Sequence, residues 1–422
     1  MGRSSQMGGS ILKITVFVLG LTAIGSCAKL DVVVEWRYLE FDYPTPAEEA
    51  LAIQDGTYNF ERAIPIDSIV TPEGKMFLTI RRQTGVPASL TVVNPDKLGK
   101  GGGPLLKPYP DWASANTEDC ENIIGTYRMD LDQCNRLWVI DSGNVGDENV
   151  CPPKILAFNV TSDKSIAKIV IPENVAKGEN GKTQFENIVV QNEDADCAKT
   201  TIYLADSAGN GIVIHDGKDF WRVSSSAFEP DPSATTFTVA GDKTVINSHG
   251  VLGMAVTEEP SPFDRHMYFR PLSSYYMYDT KLEDLKNYKK DSSELPVKKL
   301  PAKLPGQSIT HSLAKQQILF FSSVKDSSIL CWNRQKEFTS SNIGLVEQNF
   351  VDLQWASGVK VLSNNGTEKM KLWVLTNRWQ DFQNQEIPPT IPHDPNYYEF
   401  VHSNFKILTG EVSELIKGTV CE

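Results

Sequence analysis

The chain has no apolar run long enough to cross a bilayer, which takes about 20 residues; its longest candidate, Ile14 to Ile24, falls short. Long stretches with the apolar spacing of amphipathic helices are scarce. The cysteines nowhere stand at C-x-x-C spacing, which leaves no finger-type zinc site. No G-x-S-x-G is present to form a serine-hydrolase elbow. The six histidines, His215, His249, His266, His311, His393 and His402, make no H-E-x-x-H or H-x-H pair. Gly99-Lys-Gly-Gly-Gly103 lacks the spacing of a phosphate loop and reads as a loop before a strand. Asp206-Ser-Ala-Gly-Asn-Gly211 reads as a tight turn with left-handed glycine positions, not as a calcium loop. Basic residues are in deficit, 41 Lys and Arg against 53 Asp and Glu, so the surface has little attraction for nucleic acid or anionic lipid. Nothing here calls for a metal or a cofactor.

What is present begins with an export signal. Arg3 and Lys13 are the only charges before Lys29, and small residues at Ser26-Cys27-Ala28 follow the apolar run, which reads as a signal peptide over residues 1–28. Its removal moves the net charge from −12 to −14 and leaves a secreted, extracellular chain, 29–422, as one domain. Cys27 leaves with it. Cys120, Cys134, Cys151, Cys197, Cys331 and Cys421 remain, and an even count in an exported chain reads as three disulfides. Two sequons, at Asn159 and Asn365, are candidate glycosylation acceptors.

Short β-branched and aromatic runs bounded by turn residues dominate the rest. Six look alike, opening at Lys75, Arg136, Thr201, His266, Gln317 and Lys371, with spacings of 61, 65, 65, 51 and 54 residues. Each opens polar, continues with four or five mainly apolar residues and ends polar. A recurring unit of about this length built from four strands predicts an all-β, six-bladed β-propeller. The second unit shows strands a to d over Ile123–Asp130, Leu137–Asp141, Lys154–Val160 and Ser165–Ile171. The sixth shows only three, and Val32–Phe41 is a strand-like run without a blade of its own. It is expected to supply the missing outer strand and close the ring, leaving no open edge.

This topology suggests disulfide partners among the many pairings that six cysteines allow. Cys120 and Cys151 precede strands a and c of one blade, so they share a face. Cys134 and Cys197 sit in equivalent a–b turns of adjacent blades. Cys331 and Cys421 remain for each other.

Several motifs together resemble the yellow / major royal jelly protein family of insects. Trp36-Arg-Tyr-Leu-Glu-Phe-Asp-Tyr-Pro44, Gly85-Val-Pro-Ala-Ser-Leu90, Pro108-Tyr-Pro-Asp-Trp112 and Cys134-Asn-Arg-Leu-Trp-Val-Ile-Asp-Ser-Gly143 come in family order. Cys151-Pro-Pro-Lys-Ile-Leu-Ala-Phe158, Ile329-Leu-Cys-Trp-Asn333, Leu372-Trp-Val-Leu-Thr-Asn-Arg378 and Gly418-Thr-Val-Cys421 follow, from about residue 30 to the end. The resemblance implies a secreted six-bladed propeller. It does not imply one activity: some members act in pigmentation and melanin formation or convert dopachrome, others are nutritional gland secretions, and salivary members bind biogenic amines in the channel. Fold transfers between such relatives better than function does.

In a propeller the b–c loops open on one face around the axis. Here they carry Arg81, Arg82, Asp141, Ser142, Asp206, Ser207, Arg270, Ser273, Ser322, Ser323, Asn377, Arg378 and Trp379, a ring suited to a small polar aromatic ligand. Asp141 and Asp206 are candidates to pair with an amine, and Trp379 to stack on a ring. The resemblance adds that ligand contacts in amine-binding relatives fall here on Asn377, Trp379 and Ser357, with Trp and Ser where those relatives carry Phe and Thr. Arg378 lies between two of these contacts. The expected function is therefore binding of a small aromatic amine or catechol in the central channel. The alternatives are a dopachrome-converting enzyme and a structural, signalling or nutritional protein. No residue is marked as catalytic, which favours a non-enzyme, and oligomeric state is not legible.

Overall fold

The computed structural model describes residues 29–241, 243–258, 264–289, 294–315, 317–363, 369–384 and 403–422. Residues 1–28, where the signal peptide is expected, and Asn365, His393 and His402 lie outside the described residues.

Six four-stranded antiparallel sheets, each in the order a-b-c-d, form the blades of a propeller. The a strands are Pro65–Val70, Thr126–Leu131, Phe185–Asn192, Val251–Val256, His311–Leu313 and Trp355–Ser363. Each touches the a strands of the blades before and after it, and the cycle closes between the first and sixth. The b strands are Met76–Ile80, Arg136–Asp141, Thr200–Asp206, His266–Pro271, Ile318–Ser323 and Met370–Asn377. These are the six look-alike runs of the sequence.

Those runs are apolar because successive side chains of a strand point to opposite faces, and both faces here meet another blade. In blade 2, Leu137 and Val139 pack with Phe77 and Tyr109 of blade 1. Trp138 and Ile140 on the other face pack with Phe185, Ile188 and Leu204 of blade 3. Each such side chain removed from water contributes roughly 1.5–3 kcal/mol. The cores are thus the interfaces between blades.

Blade 6 takes its outermost strand from the other end of the chain. Asp31–Trp36 pairs antiparallel with the c strand Phe405–Glu411, Asp31 opposite Thr409 and Trp36 opposite Phe405. The strand is shorter than the run Val32–Phe41 that announces it. Beyond Trp36 the chain crosses the seam to blade 1: the Leu106 N–H donates to the Glu40 carbonyl at 2.9 Å and the Asp42 N–H to the Leu106 carbonyl at 2.8 Å. The Trp36 indole N–H donates to the Pro104 carbonyl at 2.8 Å. One N-terminal segment therefore fastens both sides of the closure.

Three disulfides are formed. Cys120–Cys151, Cys134–Cys197 and Cys331–Cys421 have Cα separations of 5.5, 6.5 and 6.2 Å. The first lies within blade 2, the second joins the a–b turns of blades 2 and 3, and the third ties the C-terminus to blade 5. No described helix is long and apolar enough to cross a membrane.

Candidate functional site at the channel mouth

The entries of the a strands converge on one mouth of the channel. A cavity of about 480 Å³ opens there, reached by Ile66, Arg128, Glu186, Leu252, Ile309 and Ser357 from the six blades in turn. Tyr127, Trp355 and Trp379 add aromatic surface, and Arg81, Asp147, Asn247 and His249 add polar groups. Two pieces flank the opening. A hairpin, Thr236–Val239 with Lys243–Ile246, joins blades 3 and 4. A short helix, Trp379–Gln383, follows the b strand of blade 6. Lys243 pairs with Asp381, and the Asn384 amide donates to the Thr244 carbonyl at 3.2 Å, so the two pieces are fastened together.

Arg128 lies at the bottom of the cavity and is buried. Its Nη1 donates to the Glu186 carbonyl of blade 3 and its Nη2 to the Ser357 carbonyl of blade 6, both at 3.1 Å. Beside it, Glu186 Oε2 accepts from the Ser207 hydroxyl at 2.7 Å and lies 3.6 Å from His249 Nδ1. Burial works to raise the Glu186 carboxyl, but His249, Arg128 and Ser207 outweigh it and hold the pKa below the ordinary glutamate value. Burial likewise pushes His249 down, and the Glu186 carboxylate overrides it and leaves His249 raised. The site thus favours the charged form of this carboxylate within a wall of mixed polar, charged and aromatic groups. Arg81, at the rim, bonds Asp147 at 2.8 Å.

The structure distributes the six expected ligand residues unevenly. Ser357 and Trp379 line the cavity. Ser357 donates its hydroxyl to the Ile66 carbonyl at 2.6 Å. Trp379 stacks within the cluster of Trp355 and Phe382, with ring centroids 6.4 and 5.7 Å away. Asn377 sits behind them. Its amide donates to the Pro65 carbonyl at 2.7 Å and its Oδ1 accepts from the Trp379 N–H at 3.0 Å, so it positions the tryptophan. Arg378 turns outward to the Val351 carbonyl at 3.1 Å.

Asp141 and Asp206 do not line the cavity. Both are fully buried one layer out from the axis. Asp141 accepts the Ile124 and Gly125 N–H groups at 2.9 and 2.8 Å and pairs with Lys154 at 3.1 Å. Asp206 accepts the Gln184 and Gly209 N–H groups at 2.6 and 2.9 Å and pairs with Arg222 at 2.5 Å. Each thus ties the end of a b strand to the segment entering the a strand of the same blade. Arg270, Ser273 and Ser322 are also buried and bond within the fold.

Sequence reasoning passed over Arg128, Glu186, Tyr127 and Trp355, and named His249 only as one of six histidines with nothing to single it out. A usable signal existed: the a-strand entry of every blade faces the axis, and Arg128 and Glu186 stand at two such entries. Among the described residues no cluster of three or more His, Cys, Asp or Glu is placed to hold a metal.

Fold and site define a six-bladed propeller with a mixed aromatic and charged cavity at one end of its channel. The family model described as major royal jelly protein matches residues 124–421. The chain is 33% identical to Major royal jelly protein 6 of Apis mellifera over 404 residues, covering 93% of this chain and 88% of that protein. It is 31% identical to Major royal jelly proteins 9 and 1 of the same bee, again over 93% of this chain and 90% of each. The chain belongs to the major royal jelly protein family.

Proposed function

We propose that this family member is an exported binding protein that holds a small polar aromatic ligand, of the biogenic amine or catechol type, in the mouth cavity without converting it. The observation that carries this is a cavity of about 480 Å³ in which an ionised, largely buried Glu186 faces the same space as Tyr127, Trp355 and Trp379. That volume falls in the range of roughly 300–1,000 Å³ typical of small-molecule sites. A carboxylate held among aromatics suits an ammonium, and indole faces suit either an aromatic ring or the cation itself. Export is supported by the leader pattern and by three disulfides, which persist in oxidising compartments. A role in pigmentation, development or glandular secretion follows from the family resemblance.

Calorimetric titration of the secreted protein with serotonin, dopamine, octopamine and DOPA tests this reading. Binding at one site per chain is expected, with Glu186→Gln weakening the amines about tenfold and Trp379→Ala removing ring contact. Absence of heat from every one of them, with folded and oxidised protein, overturns it.

One observation favours a second reading. His249 and Glu186 form an acid–base pair inside the cavity, which proton transfer on a dopachrome-like substrate requires. That reading fails if purified protein leaves dopachrome decay at its spontaneous rate between about pH 5 and 8.

A further inference from the structure

The carboxylate that a cationic ligand needs has a titratable neighbour inside the same cavity. Glu186 stands at the start of the a strand of blade 3, and His249 lies just before the a strand of blade 4. Both line the cavity, with side chains 13% and 36% exposed. The Ser207 hydroxyl donates to Glu186 Oε2 at 2.7 Å and faces His249 Nδ1 at 3.2 Å, so the imidazole is turned toward the carboxylate, 3.6 Å away. Other charges surround the pair. Lys182, on the approach to the same a strand as Glu186, acts on His249 as a like charge. Arg128 attracts Glu186 from blade 2. At the rim Arg81 is paired with Asp147 and Lys243 with Asp381. Among the described residues His249 is the only histidine of the cavity wall. Histidine is the side chain whose charge ordinarily changes between about pH 5 and 8.

Protonated, His249 is a counter-ion of Glu186 on the cavity side. Neutral, it leaves that side of the carboxylate open to another cation. An ammonium placed at Glu186 therefore meets a like charge in the first state and none in the second. The cavity walls exclude part of the water that would screen the repulsion. We infer that ligand binding here is proton-linked: an ammonium and the proton on His249 compete for the Glu186 carboxylate, so the cavity takes up amines at neutral pH and releases them in acid. The sign follows from the contacts. Burial works to lower the His249 pKa, and in the empty site the Glu186 carboxylate overrides it and leaves the pKa raised. A bound ammonium cancels that attraction and lowers the pKa again, so its binding expels a proton. This rests on the reading of the cavity as an amine site and adds its regulation.

Calorimetric titration of the unmodified protein with serotonin and dopamine, at several values between about pH 5.5 and 8, tests it. An amine that binds is expected to bind about tenfold tighter at the upper end, as a change of about one unit in the His249 pKa requires. Repeating the titration in buffers of different ionisation enthalpy counts protons, and a release approaching about one per site is expected on the acid side of the range. His249→Gln is expected to lose that release and most of the pH dependence. Asp130, which burial raises to about 6, lines a separate cavity and is common to both proteins, so the difference between them reports His249. Circular dichroism checks the variant's fold, and proton release by the unmodified protein decides the matter if the variant does not fold. Amine binding that releases no proton, or that strengthens equally with pH in His249→Gln, overturns this inference and leaves the binding function standing. Failure of both amines to bind at every pH overturns both.

Discussion

At the scale of single residues, polar groups in this protein act mainly on the backbone. Asp141 and Asp206 carry the chemistry expected of ligand-binding carboxylates, and their position at the ends of b strands was readable. The sequence could not tell that these ends lie behind the a-strand entries, where orphan N–H groups demand an acceptor. His311 illustrates the same economy. Its Nε2–H donates to the Tyr268 carbonyl at 2.9 Å, and its ring is buried between blades 4 and 5 beside Arg270. Burial, together with the Arg270 charge, pushes its pKa down from 6.5 to about 4. Below the ordinary histidine value the unfolded chain takes up a proton that the folded ring refuses. Stability is therefore complete above about pH 6.5 and falls by about 3 kcal/mol as the pH drops toward 4. Asp130, raised by burial to about 6, works in the opposite sense over part of that range. Urea unfolding of wild type and His311→Gln across this range isolates the histidine. The variant is expected to lose acid sensitivity, and parallel curves for the two proteins would refute the assignment.

At the scale of elements, the b strands were legible and the others less so. A b strand is covered on both faces by neighbouring blades, so nearly every position in it is apolar and the runs repeat visibly. An a strand faces the channel along one side and mixes polar with apolar residues. The d strand of blade 4 is only Lys298–Lys299, which no pattern could have announced. The N-terminal strand was visible because blade 6 lacked a partner for Phe405–Glu411. Its closing role makes a sharp test. Beginning the mature chain at Arg37 removes the Asp31–Trp36 pairing and exposes that edge, an invitation to pair with other chains. The truncated protein is expected to melt far lower and to self-associate on size-exclusion chromatography. Trp36→Ala alone should cost about 3–5 kcal/mol, since the indole is 1% exposed and bonded across the seam. A truncated monomer with unchanged melting would mean that the ring closes by other contacts.

For the whole molecule, the disulfides reinforce a ring whose cores are all between blades. Cys331–Cys421 closes a loop with a sequence separation of 90, the longest of the three, and both cysteines are buried. Gly344 packs against this bridge so closely that a Cβ there would lie 2.9 Å from each sulfur. Replacing both cysteines by serine should lower stability by about 4–5 kcal/mol, as a loop of this length predicts. Cys120–Cys151, with a separation of only 31, should matter less. Thermal melting of the two double variants gives the order, and a larger loss from the shorter loop would count against loop closure as the cause.

By itself the sequence pointed to the number of blades and the family, and it suggested the closure of the ring and, among the pairings six cysteines allow, the three that are formed. These follow from patterns repeated along the chain or from the order in which strands must alternate, and neither needs a coordinate. The contents of the channel mouth were decided only by the tertiary structure. That cavity is assembled from single residues roughly a blade apart in the sequence, and a shift of one position sends a side chain to the opposite face of its strand. The resemblance pointed to Ser357 and Trp379, which line this cavity, whereas Arg128 and Glu186 became visible only when six a-strand entries met around one axis.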